Sequence, residues 1–298
     1  MLASSMRLKL VTLIAAVAIT LTAAGVEKVK ILIVDGQNNH NWSATTQVLK
    51  SILEKCGRFE VSVSTTPGAN APKTAWMAWR PAFKDYAAVL SNYNGEEWPQ
   101  EVKTAFVNYV RNGGGFVAFH AANNSFPRWH EYNEMIGVGG WGGRDEKSGS
   151  KVYWQDGKIV RDTSPGAGGH HGEVHEYVVE IRLPQHLIAK DLPAKWLHAP
   201  DELYDSLRGP AQNMGVVATA YSAPEKRGTG RHEPLLMAIG YGYGRVFHDA
   251  MGNDVGSLQD TGFQVTFARG CEWAATGKVT IPAPSAEEMP VDHVGLAK

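Results

Sequence analysis

Apolar runs and amphipathic stretches alternate along the chain from Val29 to His120. Val29 to Asp35 (VKILIVD) is almost continuously apolar and rich in β-branched residues, the pattern of a strand buried on both faces. Ser43 to Cys56 then reads as a helix, with Ser43 as its N-cap and Gly57 just past its end. Phe59 to Ser64 and Ala87 to Ser91 read as second and third strands. Pro99 to Arg111 is predicted helical, because Val102, Phe106, Tyr109 and Val110 share one face and Pro99 suits a first turn. Gly113, Gly114 and Gly115 end it, and Gly115 to His120 (GFVAFH) is the fourth strand. This β-α-β-α rhythm predicts a parallel sheet with right-handed crossovers.

The rhythm breaks at Asn123. Asn123 to Gly172 is rich in glycine and aromatic residues and reads as an insertion folded over the sheet. Tyr177 to Arg182, Met214 to Ala220, Leu235 to Gly240 and Gly244 to Asp249 are further strands, the last entered through a turn at Gly242 and Gly244. A final helix runs from about Leu258 to Thr276, with Phe263, Phe267, Cys271 and Ala274 on one face. One domain over residues 26–282 is expected, followed by a loosely held tail, 283–298, containing Pro284, Pro290 and several charges.

Ligands of open α/β sheets bind beyond the carboxyl ends of the strands. Three histidines stand there: His40 after the first strand, His120 closing the fourth, and His248 near the end of GRVFHD. Each also has a plainer reading. His40, among Asn38, Asn39 and Asn41, is equally a solvated loop residue, and His248 is equally a core histidine; a satisfied core histidine is the lesser reading for His120, because a polar side chain directly after a buried strand must find partners. GGHHGEVH at 168–175 adds His170, His171 and His175. His171 and His175 have metal-binding spacing only if helical, which the flanking glycines oppose; a loop approaching a ligand closely is the alternative. Asp201, Glu202 and Tyr204 (DELY) offer paired carboxylates for sugar hydroxyls, a metal or proton transfer, or else a helix cap or a pair with Arg208. Trp42, Trp129, Trp141 and Trp154 suit stacking on sugar rings, or simple packing.

Composition narrows the choice. A net charge of -1 without like-charge blocks gives no nucleic-acid or anionic-membrane footprint. Two cysteines, Cys56 and Cys271, exclude a disulfide scaffold and a cysteine-rich zinc site; buried thiols or a single bridge both remain open. Residues 1–25 combine Arg7 and Lys9, an apolar run from Leu10 to Ala24, and small residues at Thr22 to Gly25, the layout of a signal peptide too short to span a bilayer comfortably. Export to the periplasm or beyond is therefore expected, with no stable membrane span afterwards. The sequence contains neither a G-x-S-x-G elbow nor a phosphate loop.

Several ordered motifs resemble the ThuA-like (trehalose utilisation) family: GGGFVAFHAAN at 113–123, WGGR at 141–144, GHHG at 169–172, DELY at 201–204, GRVFH at 244–248 and RGCEWAATG at 269–277. The resemblance runs from about Lys30 to Pro282 and implies a flavodoxin-like, class I glutamine amidotransferase-like α/β fold: a mostly parallel sheet with helices on both faces. Amidotransferases of that superfamily carry a nucleophilic cysteine at the elbow where this chain has Phe119-His120-Ala121, so cysteine amidotransfer is not expected. The chain departs from the family at Gly252-Asn253-Asp254, where Gly-His-Asp is common, and at His186-Leu187-Ile188, where His-Pro-Ile is common.

The resemblance implies chemistry on 3-keto sugars or their glycosides. A carbonyl acidifies the neighbouring C–H; a base removes that proton, and either cleavage or isomerisation follows. Histidine suits the base role with its ordinary pKa of about 6.5. His120, as base or ligand, His40, His248, Asp201 and Glu202 are the catalytic candidates. Trp42, Asn123, Trp141, Arg144, His170, His171, Tyr204 and Asp254 are the substrate-binding candidates. A divalent metal ion is a possible cofactor, with His40, His120 and His248 as candidate ligands. A non-catalytic sugar-binding protein, or a hydrolase of ordinary glycosides or esters, are the rival readings.

Overall fold

A computed structural model describes residues 27–297. The expected signal peptide, residues 1–25, lies outside the described residues.

Five strands form the parallel part of the sheet: β1 (Val29–Asp35), β2 (Phe59–Thr65), β3 (Ala88–Ser91), β4 (Gly115–Phe119) and β14 (Gly244–Asp249). Their order, β2-β1-β3-β4-β14, is the flavodoxin-like arrangement. The first four strands fall within a residue or two of the expected ones. The sheet then continues antiparallel through β13 (Arg231–Tyr241), β12 (Met214–Ser222), β8 (His175–Ile181) and β9 (Lys195–Asp201). From the insertion, β5 (Ser150–Gln155) pairs with β13 and carries β6 (Lys158–Asp162) and β11 (Arg208–Gly209). A separate ribbon joins β7 (His170–His171) to β10 (Tyr204–Asp205).

Alternation along β4 decides what packs on each face. Phe116 meets Phe106 of α3 (Gln100–Arg111) and Tyr132 of α4 (His130–Ile136), while Phe119 meets Phe263 and Phe267 of α5 (Thr261–Thr276). A spacing of three residues on a period of two sends the rings to opposite sides, so helices cover both. α1 (Trp42–Lys55) lies beside α5, and the short α2 (Lys73–Ala78) precedes β3.

Several expectations are corrected. Asn41, not Ser43, caps α1, its side chain accepting from the Ala44 N–H at 3.3 Å. α5 starts at Thr261 because the Asp260 carboxylate accepts the Phe263 N–H at 2.8 Å. β9 escaped notice because Pro200 interrupts it; as the last strand in the sheet order it tolerates a residue without an N–H. The tail expected to be loosely held is pinned instead. The Pro290 carbonyl accepts the Leu197 N–H of β9 (2.8 Å), the Gly295 carbonyl accepts the Thr261 N–H (2.8 Å), and Met289 is buried. It covers an otherwise open sheet edge.

Two buried arginines staple the insertion to the fold by donating to carbonyls. Arg144 reaches those of Asn124, Ser125 and Gly140 at 2.7–3.0 Å and the Asn133 side chain; Arg208 reaches those of Gly149, Ser164 and Gly166 at 2.7–2.9 Å. Arg208 is therefore no partner of the DELY carboxylates, and Arg144 is not placed to hold substrate. Cys56 is exposed and Cys271 buried, both as free thiols. Among the described residues no helix is long and apolar enough to cross a membrane.

Gly270 marks where α5 presses hardest on the sheet, since a methyl there would collide with the Phe247 ring. Gly270→Ala is expected to lower the urea midpoint, because overpacking costs about 1–3 kcal/mol against about 1 kcal/mol gained in helix propensity. An unchanged or raised midpoint would mean that the contact is slack.

Candidate functional site

Four loops meet at the carboxyl edge of the parallel strands. The β1 loop brings His40, the β3 loop Asn94, the β4 turn His120 and Asn124, and the β14 loop the Ala250 carbonyl. Ligand sites of this fold lie at that edge. The turn after β4 is strained: His120 has φ 42°, a left-handed conformation uncommon outside glycine. That conformation opens a short 3-10 turn, His120–Asn124, directly from the strand end. From the other side, Glu202 and Tyr204 follow β9, and the β7–β10 ribbon pairs Tyr204 with His171.

Between them lies a cavity of about 330 Å³, lined by Asn39, His40, Asn94, Asn124, Trp141, Gly142, His171, Glu202 and Tyr204, with His120 buried behind its wall. The volume is at the small end for a small-molecule site. Glu202 is its centre: His120 Nε2 lies 3.8 Å and His40 Nε2 3.9 Å from one carboxylate oxygen, and His171 Nε2 lies 3.9 Å from the other. His120 packs face to face on Tyr204 at 4.1 Å and edge-on to His40 at 4.8 Å between ring centres. The Tyr204 hydroxyl is 3.3 Å from His40 Nε2. Trp141, its φ also positive at 53°, closes the wall 4.7 Å from Tyr204 and 6.1 Å from His171.

The electrostatics follow from this packing. Burial, then the neighbouring His120, lowers His40 to about 4, so its ring is neutral at physiological pH. Burial alone would raise the Glu202 carboxyl, but His120 at its side, with the charges of His171 and His40, holds it below the usual carboxylate range. Burial, reinforced by Glu202, raises the Tyr204 phenol, which stays protonated and able to donate.

The structure gathers His40, His120, His171, Glu202, Tyr204 and Trp141 and leaves the other candidates outside. His248 is fully buried behind the cavity. One ring nitrogen is 2.9 Å from the Ile136 carbonyl and the other 3.0 Å from the Asn123 amide, and burial lowers it to about 4. It positions Asn123, itself buried, and is not a partner of His40 and His120. Asp201 is sealed, its carboxylate accepting from Tyr177, His198 and the N–H groups of Glu202, Gly252 and Asn253. It shapes the loops that carry Glu202 and the β14 link rather than touching a ligand. His170 turns away toward Asp205 at 3.0 Å; Asp254 is exposed and bonds Ser257; Trp42 opens α1 outside the cavity lining. Trp129 is core, and Trp154 stacks under Arg182.

Asn94, Asn124 and His198 went unnoticed. Asn94 follows a predicted strand, so the rule that selected the histidines would have found it had amides been considered. His198 had no such signal, because its strand was not recognised. Burial alone would lower this imidazole, but Asp260 at 2.7 Å and Asp201 at 3.0 Å raise it to about 10. His198 in turn brings Asp201 below its usual range against the effect of burial.

A parallel 2-1-3-4-5 sheet with a strained turn after its fourth strand defines a flavodoxin-like α/β protein, here with an imidazole at that turn. The chain belongs to the ThuA family, described as trehalose utilisation, whose profile matches residues 30–274. It is 45% identical to a protein of Parabacteroides merdae ATCC 43184 described as ThuA-like, with a TM-score of 0.87 over 91% of this chain and 98% of that one. A ThuA-like protein of Bacteroides uniformis ATCC 8492, 18% identical with a TM-score of 0.58 over 85% of this chain and 93% of that one, shares the fold. Among curated proteins none matches the chain.

Replacing His198 by alanine leaves Asp201 and Asp260 buried and unpaired, a loss of about 3–5 kcal/mol. Because folding raises this imidazole from 6.5 to about 10, its contribution is complete below pH 6.5 and disappears as pH rises through about 10. Thermal unfolding of wild type and His198→Ala should therefore differ most at pH 6.5 and converge toward pH 10. A gap that stays constant across this range would show that His198 is not a buried cation.

Proposed function

We propose that the protein is an exported carbohydrate-active enzyme that acts on 3-keto sugars or their glycosides by removing the proton beside the carbonyl. The observation that carries this reading is the convergence of three imidazole nitrogens on one carboxylate, each within 3.9 Å, at an aromatic-walled cavity. Membership of a trehalose-utilisation family supports the substrate class. The basic-then-apolar segment at 1–25 supports export.

His171 is the base in this scheme. Its Nδ1–H donates to the Gly172 carbonyl at 2.8 Å, which leaves the lone pair on Nε2 beside Glu202, at the more open side of the cavity. The C–H bond breaks, its proton passes to His171, and the electron pair forms an enediolate with the carbonyl oxygen. The protonated phenol of Tyr204 donates to that oxygen as charge develops. In a glycoside the pair then expels the glycosidic oxygen, which leaves with the proton from His171. In a free keto sugar His171 returns the proton on the same face to the former carbonyl carbon, which moves the carbonyl to the neighbouring position. Trp141 offers its ring face to the sugar.

Purified protein is expected to turn over 3-keto disaccharides and to exchange the adjacent proton with deuterated water. His171→Ala should lower kcat by about 10²–10⁴ with sugar binding retained, and Trp141→Ala should chiefly raise KM. A folded wild type that binds keto sugars without turnover or exchange would make this a sugar-binding protein. One that binds none would remove the substrate class as well.

A further inference from the structure

We propose that His40, His120 and Glu202 form a binding site for one divalent transition-metal ion, through His40 Nε2, His120 Nε2 and a Glu202 carboxylate oxygen. His120 carries the argument. Its Nδ1 lies 2.9 Å from the Ala250 carbonyl, which can only accept, so Nδ1 holds a hydrogen and Nε2 is the ring position turned toward the cavity. The residue is 1% exposed, and Nε2 has no hydrogen-bond partner. It faces Glu202 at 3.8 Å, too far for a hydrogen bond. A buried ring nitrogen facing a carboxylate across a gap without a hydrogen bond is costly, and an ion seated between them would give both a partner.

His40 presents its own Nε2 to the same Glu202 oxygen at 3.9 Å, and the three donor atoms lie within 4.8 Å of one another. A single ion with bonds of about 2.0–2.2 Å fits spacings of this order after small side-chain adjustments. The carbonyl on His120 Nδ1 is the usual outer partner of a metal-bound imidazole, fixing tautomer and ring direction. Asp201 gives Glu202 similar support by accepting its backbone N–H at 2.8 Å. Two imidazoles and one carboxylate favour zinc, manganese, iron or cobalt in the divalent state over magnesium or calcium, and they leave coordination positions for an outside ligand. His248, the remaining imidazole first considered as a ligand, has both nitrogens engaged elsewhere.

The site shares the cavity of the keto-sugar reading and would supply its electrophile for a substrate carbonyl, but its test needs no turnover, so either idea can fail alone. Full-length mature protein is stripped with a chelator, then titrated with Zn²⁺, Mn²⁺ and Co²⁺ by calorimetry, with visible absorption for Co²⁺. One equivalent per chain is expected, with Co²⁺ bands characteristic of mixed nitrogen and oxygen ligation. His120→Gln and Glu202→Gln should each weaken binding by at least about 100-fold, and His170→Ala should leave it unchanged. His40→Gln, on a half-buried loop, gives a second reading should His120→Gln fail to fold. The proposal is overturned if no ion binds the folded protein, or if binding survives unchanged in folded His40→Gln and Glu202→Gln. Metal binding without keto-sugar turnover would overturn the functional reading alone. Turnover by a protein that binds no metal would overturn this site alone.

Discussion

A buried imidazolium holds the working edge of this protein together. His198 stands between Asp260, which caps α5, and Asp201, which ends β9. Asp201 in turn gathers the backbone N–H groups of Glu202, Gly252 and Asn253. One charged ring therefore connects the last helix, the edge strand and the β14 loop, three segments distant in sequence. Burying these charges is tolerable only because each finds an opposite charge and further hydrogen bonds. Nearby Asp249 lacks such a partner for one oxygen, and burial drives its carboxyl well above the ordinary range.

This connection explains how Glu202 can act as a centre. Its backbone is held by Asp201 from below, while three imidazoles approach its carboxylate from the β1 loop, the β4 turn and the β7–β10 ribbon. The β4 turn accepts a strained left-handed residue to direct His120 inward. The ribbon exists because Arg144 and Arg208 fasten the insertion by its carbonyl groups, so Trp141 and His171 arrive as a wall on the parallel sheet. The antiparallel strands carry the far side of the cavity, with the tail sealing their outer edge.

The parallel half was legible because continuously apolar strands and amphipathic helices announce themselves by period. Carboxyl-edge reasoning found His40 and His120, since a polar residue directly after a buried strand must have a use or a partner. It failed for His248, which also ends near a strand terminus but lies beneath α4, where the Ile136 carbonyl and Asn123 satisfy it. Arg144, His170 and Asp254 sit in motifs of the family, yet all three serve the scaffold. Motif membership does not distinguish a residue that touches a ligand from one that holds the loop carrying it.

Local chemistry determined what each segment would be: where the parallel strands and major helices run, where glycine breaks them, and which imidazoles stand at strand ends. Periodicity and turn propensity act over a few residues, so they can be read along the chain. Which carboxylate those imidazoles would share, which arginines would become staples and which histidine would be a buried cation were decided only by tertiary packing. Burial, tautomer and charge depend on atoms brought within 4 Å by strands and loops up to about 160 residues apart, and no local pattern encodes those neighbours.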